Sequence, residues 1–106
     1  MIAQTPPDAK APDDCRTMSE VRAGVDALDR ELVALLARRF AYMRAAARIK
    51  PERGLVRDEA RKVVVIAAAR AEALRLGAPA ERIAALWEAL VESSIAYELE
   101  RFDERP

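Results

Sequence analysis

The sequence predicts an all-α fold of one long N-terminal helix followed by two shorter ones, and three observations predict it. Apolar residues return at spacings of three and four from Val21 onward, which is the period of a helix. Helix punctuation at Thr17, Pro51, Gly77 and Pro79 divides the chain into three helical stretches. The first stretch, about 33 residues or roughly 50 Å at 1.5 Å per residue, is longer than a compact 100-residue domain is wide. One chain cannot cover such a helix, so the economical arrangement is an intertwined helical homodimer.

Taken in order, residues 1–14 are Pro-rich, polar and without periodicity, and are expected to form a flexible N-terminal arm ahead of a helical domain over 15–106. Thr17-Met18-Ser19-Glu20 fits a capping box, in which hydroxyl and carboxylate satisfy free amides of the first turn. Val21, Val25, Leu28, Leu32 and Leu35, then after a shift Leu36, Phe40, Met43 and Ala47, line one side of the helix that follows. Pro51 ends it and Gly54 loosens the next loop. The second helix is expected from about Asp58 to Leu76, with Gly77 at C′. Within it, Val63-Val64-Val65-Ile66 is the one place where a strand competes, because four β-branched residues in a row are mediocre helix formers. The alanine- and arginine-rich flanks, free of turn residues, decide for helix. The third helix starts at Pro79 and runs to about Phe102, with Ile83, Leu86, Leu90, Ile95 and Leu99 inward.

At 106 residues the chain reads as one domain, in a size range where a shared core helps stability. Its 18 Lys and Arg balance its 18 Asp and Glu, so no long-range field draws it to nucleic acid or to an anionic membrane. Cys15 has no intrachain partner and stands beside Asp13 and Asp14, which argues for an inert thiol. No signal peptide or bilayer-spanning stretch is legible, so a cytoplasmic location is expected. Without histidine, a cysteine pair or a glycine-rich phosphate loop, chemistry through a metal, a covalent nucleophile or a nucleotide cofactor finds little support. Binding remains, or catalysis by placement and charge alone.

The candidates for such a role are cations embedded in the apolar stripe of the first helix: Arg22, Arg39 and Lys50. Arg39 and Lys50 are eleven residues apart, which at about 100° per residue returns to within roughly 20° of one direction. Arg22 lies seventeen residues before Arg39, about 100° off that face and roughly 25 Å away along the axis. If all three serve one pocket for a small anion, Arg22 must come from another copy of the chain. The competing reading is that they are surface residues snorkelling their stems over apolar neighbours. Arg30, Arg38, Arg44, Arg48 and Arg70 read as solvated or paired.

The string Val21-Arg22, Asp26-Ala27-Leu28-Asp29, Leu35-Leu36-Ala37-Arg38-Arg39 and Lys50 resembles the first helix of the all-helical chorismate mutase family (chorismate mutase type II). The resemblance covers Pro12 to about Phe102. Val56-Arg57-Asp58 and Arg61 look like the opening of that family's second helix, and Glu98 falls where it places a glutamine or glutamate late in the third. The isochorismate pyruvate lyase branch similarly carries Pro-x-Asp-Cys before the first helix, here Pro12-Asp13-Asp14-Cys15, and shares the loop length between Lys50 and Arg61.

The resemblance implies a cofactor-free, metal-free homodimer acting on a small dianion, chorismate or isochorismate. Arg22 from the partner chain and Arg39 would bind carboxylates, Lys50 a carboxylate and the ether oxygen, and Glu98 would hydrogen-bond that oxygen. Asp58 and Arg61 would line the ring side. Lys62 stands where typical bacterial mutases have a glutamate that contacts the substrate hydroxyl, and an ammonium cannot accept that hydrogen bond. Glu98, where many relatives have glutamine, can donate to the ether oxygen only when protonated, which burial favours. The leading expectation is a chorismate mutase. The alternatives are an isochorismate pyruvate lyase and a non-catalytic helical dimerisation or anion-binding module. Trp87 reads as a core or interface anchor, and Tyr42 and Tyr97 as packing residues with wet hydroxyls. Asp29, seven residues from Arg22, is expected to orient it by charge pairing.

Overall fold

The computed structural model describes residues 9–106; residues 1–8 of the expected arm lie outside it. Its helices are α1 (Met18–Ile49), α2 (Glu59–Arg75) and α3 (Ala80–Asp103), and no strand occurs among the described residues. The chain divides into two compact units at Arg39 and Phe40, within α1.

In the first unit, a 3-10 turn at Pro12–Asp14 leads to the start of α1. The capping box forms as the sequence predicts: Glu20 N donates to Thr17 Oγ1 at 3.2 Å, and Thr17 N donates to Glu20 Oε1 at 3.1 Å. Glu20 also accepts from the Arg16 amide and pairs with Lys10 Nζ at 2.6 Å, tying residues of the expected arm to the helix start. Lys10 first, and then the Arg16 amide, hold the Glu20 carboxyl down at about 2. Buried apolar surface is scarce in this unit. Ala27 is 4% exposed, whereas Val21, Val25, Leu28, Leu32 and Leu35 are all exposed. They form the predicted stripe, and it lies open.

The second unit has its own core. Val56, Val91 and Ile95 are buried, with Val65, Ile66, Trp87, Leu99 and Phe102 packed around them. Val63–Ile66 is helical, because its flanks propagate the helix and half of the run, Val65 and Ile66, faces this core. Trp87 is thus a core residue of this unit. Asp58 caps α2, its side chain accepting from Arg61 N at 3.0 Å. At the other end Gly77 adopts φ 71°, the left-handed C′ conformation that costs glycine nothing, and Ala78 N bonds back to Ala73 O. Pro79 then stands at the N-cap position of α3, its carbonyl accepting from Ile83 N at 3.0 Å. The short connection makes α2 and α3 an antiparallel pair, and ion pairs mark the register. Arg70 meets Glu81 near the turn, and Lys62 meets Glu88 and Glu92 farther from it.

Candidate active site

Lys50 follows the last turn of α1. Pro51 has no amide hydrogen and cannot extend the helix, so the chain leaves here and turns through Arg53–Leu55. The Lys50 side chain runs to Glu98 on α3, with Nζ 2.7 Å from Glu98 Oε2, and lies 3.4 Å from the Val56 carbonyl. Glu98 is buried, 4% exposed, and Lys50 is partly covered. A charge in this setting is tolerated only with a partner. Although 2.7 Å makes an ion pair, Glu98 Oε2 has no partner at hydrogen-bonding angles among the described residues. The distance is the better guide to attraction, which needs no particular angle. The angular shortfall leaves a buried oxygen with directional capacity unused, a position where a ligand atom can add a bond.

Ser94 stands one turn before Glu98 on the same side of α3, 3% exposed, with its hydroxyl donating to Leu90 O at 2.7 Å. The sequence reading passed over it. Its signal was present: a small polar residue at i−4 from Glu98, embedded among Val91, Ile95 and Leu99. Close to Glu98 in the chain, Tyr97 packs edge-on to Phe40 at 5.2 Å between ring centres and accepts from Arg44 Nη1 at 3.1 Å. This joins the last part of α1 to α3 and sets the Lys50 and Glu98 backbones against each other. Tyr97 is accordingly a packing residue whose hydroxyl has a protein partner.

The remaining candidates occupy different surroundings. Asp58 is the α2 cap and Arg61 is exposed beside it. Lys62 Nζ lies 2.6 Å from Glu88 and 2.8 Å from Glu92, and its side chain is 16% exposed. Glu88, then Glu92, raise its pKa further above the usual lysine range. Glu92 also takes both terminal nitrogens of Arg57, and Arg57 followed by Lys62 holds its carboxyl at about 2. Lys62 and Arg57 therefore brace α3, and the Glu88 and Glu92 carboxylates are the acceptors at this position.

In the first unit, Arg22 is exposed and Arg39 is half-buried, both on α1. Arg22 and Asp29 do not form the expected pair. Seven residues bring the side chains to nearly one direction but separate them by about 10 Å along the axis, beyond ion-pair reach. A concavity here, bounded by Lys10, Pro12, Cys15, Val21, Val25 and Leu28, is mostly apolar. The Cys15 thiol is half-buried and donates weakly to the Ala11 carbonyl at 3.5 Å. Among the described residues no helix is long and apolar enough to cross a membrane.

A buried carboxyl facing an ammonium, with one oxygen short of a directional hydrogen bond, can take a polar ligand atom. One curated relative is the isochorismate pyruvate lyase of Pseudomonas aeruginosa, 39% identical over 41 residues, a match covering 39% of this chain and 41% of the relative. The aligned part is thus less than half of either protein. Residues 21–99 match the family described as chorismate mutase type II, a span that contains every candidate side chain named above from Arg22 to Glu98. The chain belongs to the chorismate mutase type II family.

Proposed function

We propose that the protein is a cytoplasmic, homodimeric chorismate mutase that converts chorismate to prephenate without a cofactor. In this rearrangement the ether C–O bond breaks as a C–C bond forms, in one cyclic movement of electrons with no proton transfer. An enzyme can help by folding a flexible dianion into the reactive shape and by stabilising charge that grows on the ether oxygen. Arg39 and Arg22 of a second copy hold the carboxylates. Lys50 approaches the ether oxygen and one carboxylate. Glu98 hydrogen-bonds the same oxygen, while Ser94 borders it one turn away. Each donor of this kind is worth about 3 to 4 kcal/mol, so Lys50 and Glu98 together supply most of the roughly 8 kcal/mol behind a 10⁶-fold acceleration. Asp58 and Arg61 border the ring, and Lys62 acts there as a donor.

The observation that carries this reading is the Lys50–Glu98 pair, buried on Glu98 and short of one hydrogen bond, in a chain of this family. A second reading has its own support: isochorismate pyruvate lyase activity, yielding salicylate and pyruvate from the same side chains. It is favoured by the local likeness to the Pseudomonas aeruginosa lyase and by Lys62, which cannot accept from a ring hydroxyl.

Supplying the purified protein with chorismate and isochorismate separately, with Lys50→Ala as control, and identifying the products tests both. Prephenate from chorismate is the expected result. Salicylate with pyruvate from isochorismate alone would move the protein to the second reading, and neither product would overturn both in favour of a non-catalytic helical module.

A further inference from the structure

The main chain around Lys50 is held from a direction that the site itself does not explain. The carbonyls that end α1 have no intrahelical partners, and Pro51 supplies no amide to replace them. The Lys50 amide still closes on Ala46 O at 2.9 Å, but the next carbonyls are open. Arg105 fills the gap, its Nη1 donating to Ala47 O at 3.1 Å and to Lys50 O at 2.6 Å. The guanidinium is itself fixed, lying 3.9 Å over the ring of Phe102, which packs against the core. Two residues earlier, Asp103 takes Arg53 through two hydrogen bonds of 2.8 and 3.2 Å, holding the turn just past Lys50. The end of α3 therefore grips the chain on both sides of Lys50, and the same helix presents Glu98 to its ammonium.

We propose that Arg105 is a positioning residue: with support from the Asp103–Arg53 pair, it fixes the Lys50 backbone so that the ammonium meets Glu98 rather than swinging into solvent. The chemistry suits the task. A cation at a helix C-terminus is favoured by the helix dipole, and a planar guanidinium can serve two carbonyls while stacking on a ring. The side chain is exposed at one edge, so its removal leaves the Val56, Val91 and Ile95 core untouched. The consequence for turnover rests on the proposed role of Lys50; the consequence for the mobility of Lys50 does not.

The test separates the two. Full-length wild-type protein, Arg105→Ala, Arg105→Lys and Asp103→Asn are treated with limiting acetic anhydride, and the modification rates of Lys50 and Lys62 are compared by mass spectrometry alongside melting temperatures. The expected result is several-fold faster modification of Lys50 in Arg105→Ala, an intermediate rate in Arg105→Lys, a smaller increase in Asp103→Asn and an unchanged rate at Lys62. With the substrate that the product assay identifies, kcat of Arg105→Ala falls about 10- to 100-fold, the scale expected of misplacing a reacting group by a fraction of a bond length to 1 Å, while KM moves little. Modification of Lys50 at the wild-type rate in both Arg105→Ala and Asp103→Asn would overturn the proposal. If the wild type turns over neither substrate, the functional reading fails, and the modification rates still decide the clasp.

Discussion

Five apolar side chains of α1, Val21, Val25, Leu28, Leu32 and Leu35, remain between 38% and 57% exposed in the first unit, whereas Val91 and Ile95 in the second fall to 7% and 8%. The second unit closes a core with its own residues, and buried polar groups, Ser94 and Glu98, sit inside it with partners nearby. The first offers a helix with a periodic apolar stripe and little in its own unit to set against it. Helical propensity alone leaves such a helix marginal in water, because most helical stability in proteins comes from packing an amphipathic face. The two regions therefore teach different lessons. One is a finished scaffold that fixes a lysine against a glutamate; the other is an open apolar stripe, and a second copy of the chain is the occupant that the proposed function requires.

The largest effects should fall on the scaffold's charged pair. Replacing Lys50 by alanine is expected to lower kcat/KM about 10²- to 10³-fold, the cost of removing one preorganised donor. Circular dichroism should stay that of the wild type, because Lys50 is not part of the apolar core. Loss of helicity along with activity would mean that the pair is structural, and the contrast between the units would lose its functional half.

The stripe is next. Leu28→Asp combined with Leu32→Asp should convert a species of twice the 11.7 kDa chain mass into one of the chain mass, as read by sedimentation equilibrium. Burying each leucine is worth about 1.5–3 kcal/mol, enough together to shift association by several powers of ten. A wild-type protein that sediments at the chain mass would show that the stripe is tolerated exposed.

Acid sharpens the comparison further, since each unit has one carboxyl held far below its ordinary value. Glu92, facing Arg57 and Lys62, and Glu20, facing Lys10, are both near 2 against an ordinary 4.5. A carboxyl lowered on folding contributes stability above the unfolded value that is lost as pH falls through the folded one. Both contributions are thus complete above about pH 4.5 and gone below about pH 2. Both groups are solvated, so the effects are modest. Glu92→Gln should lower the melting temperature at pH 7 and make no difference at pH 2; an equal loss at both would assign Glu92 a packing role.

The smallest expected change concerns Glu98→Gln. An amide donates at any pH, whereas a carboxyl donates only while protonated. At pH 7 the kcat/KM of Glu98→Gln should stay within about tenfold of the wild type, because the amide keeps a donor at the ether oxygen. A loss as large as that of Lys50→Ala would remove Glu98 as the donor.

Much of the fold could be read locally. Thr17 and Glu20 form the box that their spacing foretells, and Gly77 stands at the left-handed position where a helix needs it, because caps and turns are decided within four or five residues. Lys50 and Glu98 are forty-eight residues apart, and only a family resemblance linked them before the structure brought them to 2.7 Å. Separation in sequence also hid the Arg105 contacts, 55 and 58 residues apart, and the Lys62 pair with Glu92, 30 apart, since nothing in a single chain's periodicity says which cation meets which acceptor. Arg22 and Asp29 stay apart for a simpler reason: they share a direction around α1 but lie about 10 Å from each other along it.

The proposed shared site, with Arg22 of one chain serving the Lys50 of another, is tested most directly by mixing two defective variants. Arg22→Ala and Lys50→Ala are each nearly inactive on this account, but a mixed dimer regains one intact site with Arg22 from one chain and Lys50 from the other. Unfolding and refolding an equimolar mixture should restore about a quarter of wild-type activity, because half of the symmetric dimers are mixed and each holds one good site of two. A mixture no more active than its separate components would contradict the shared site.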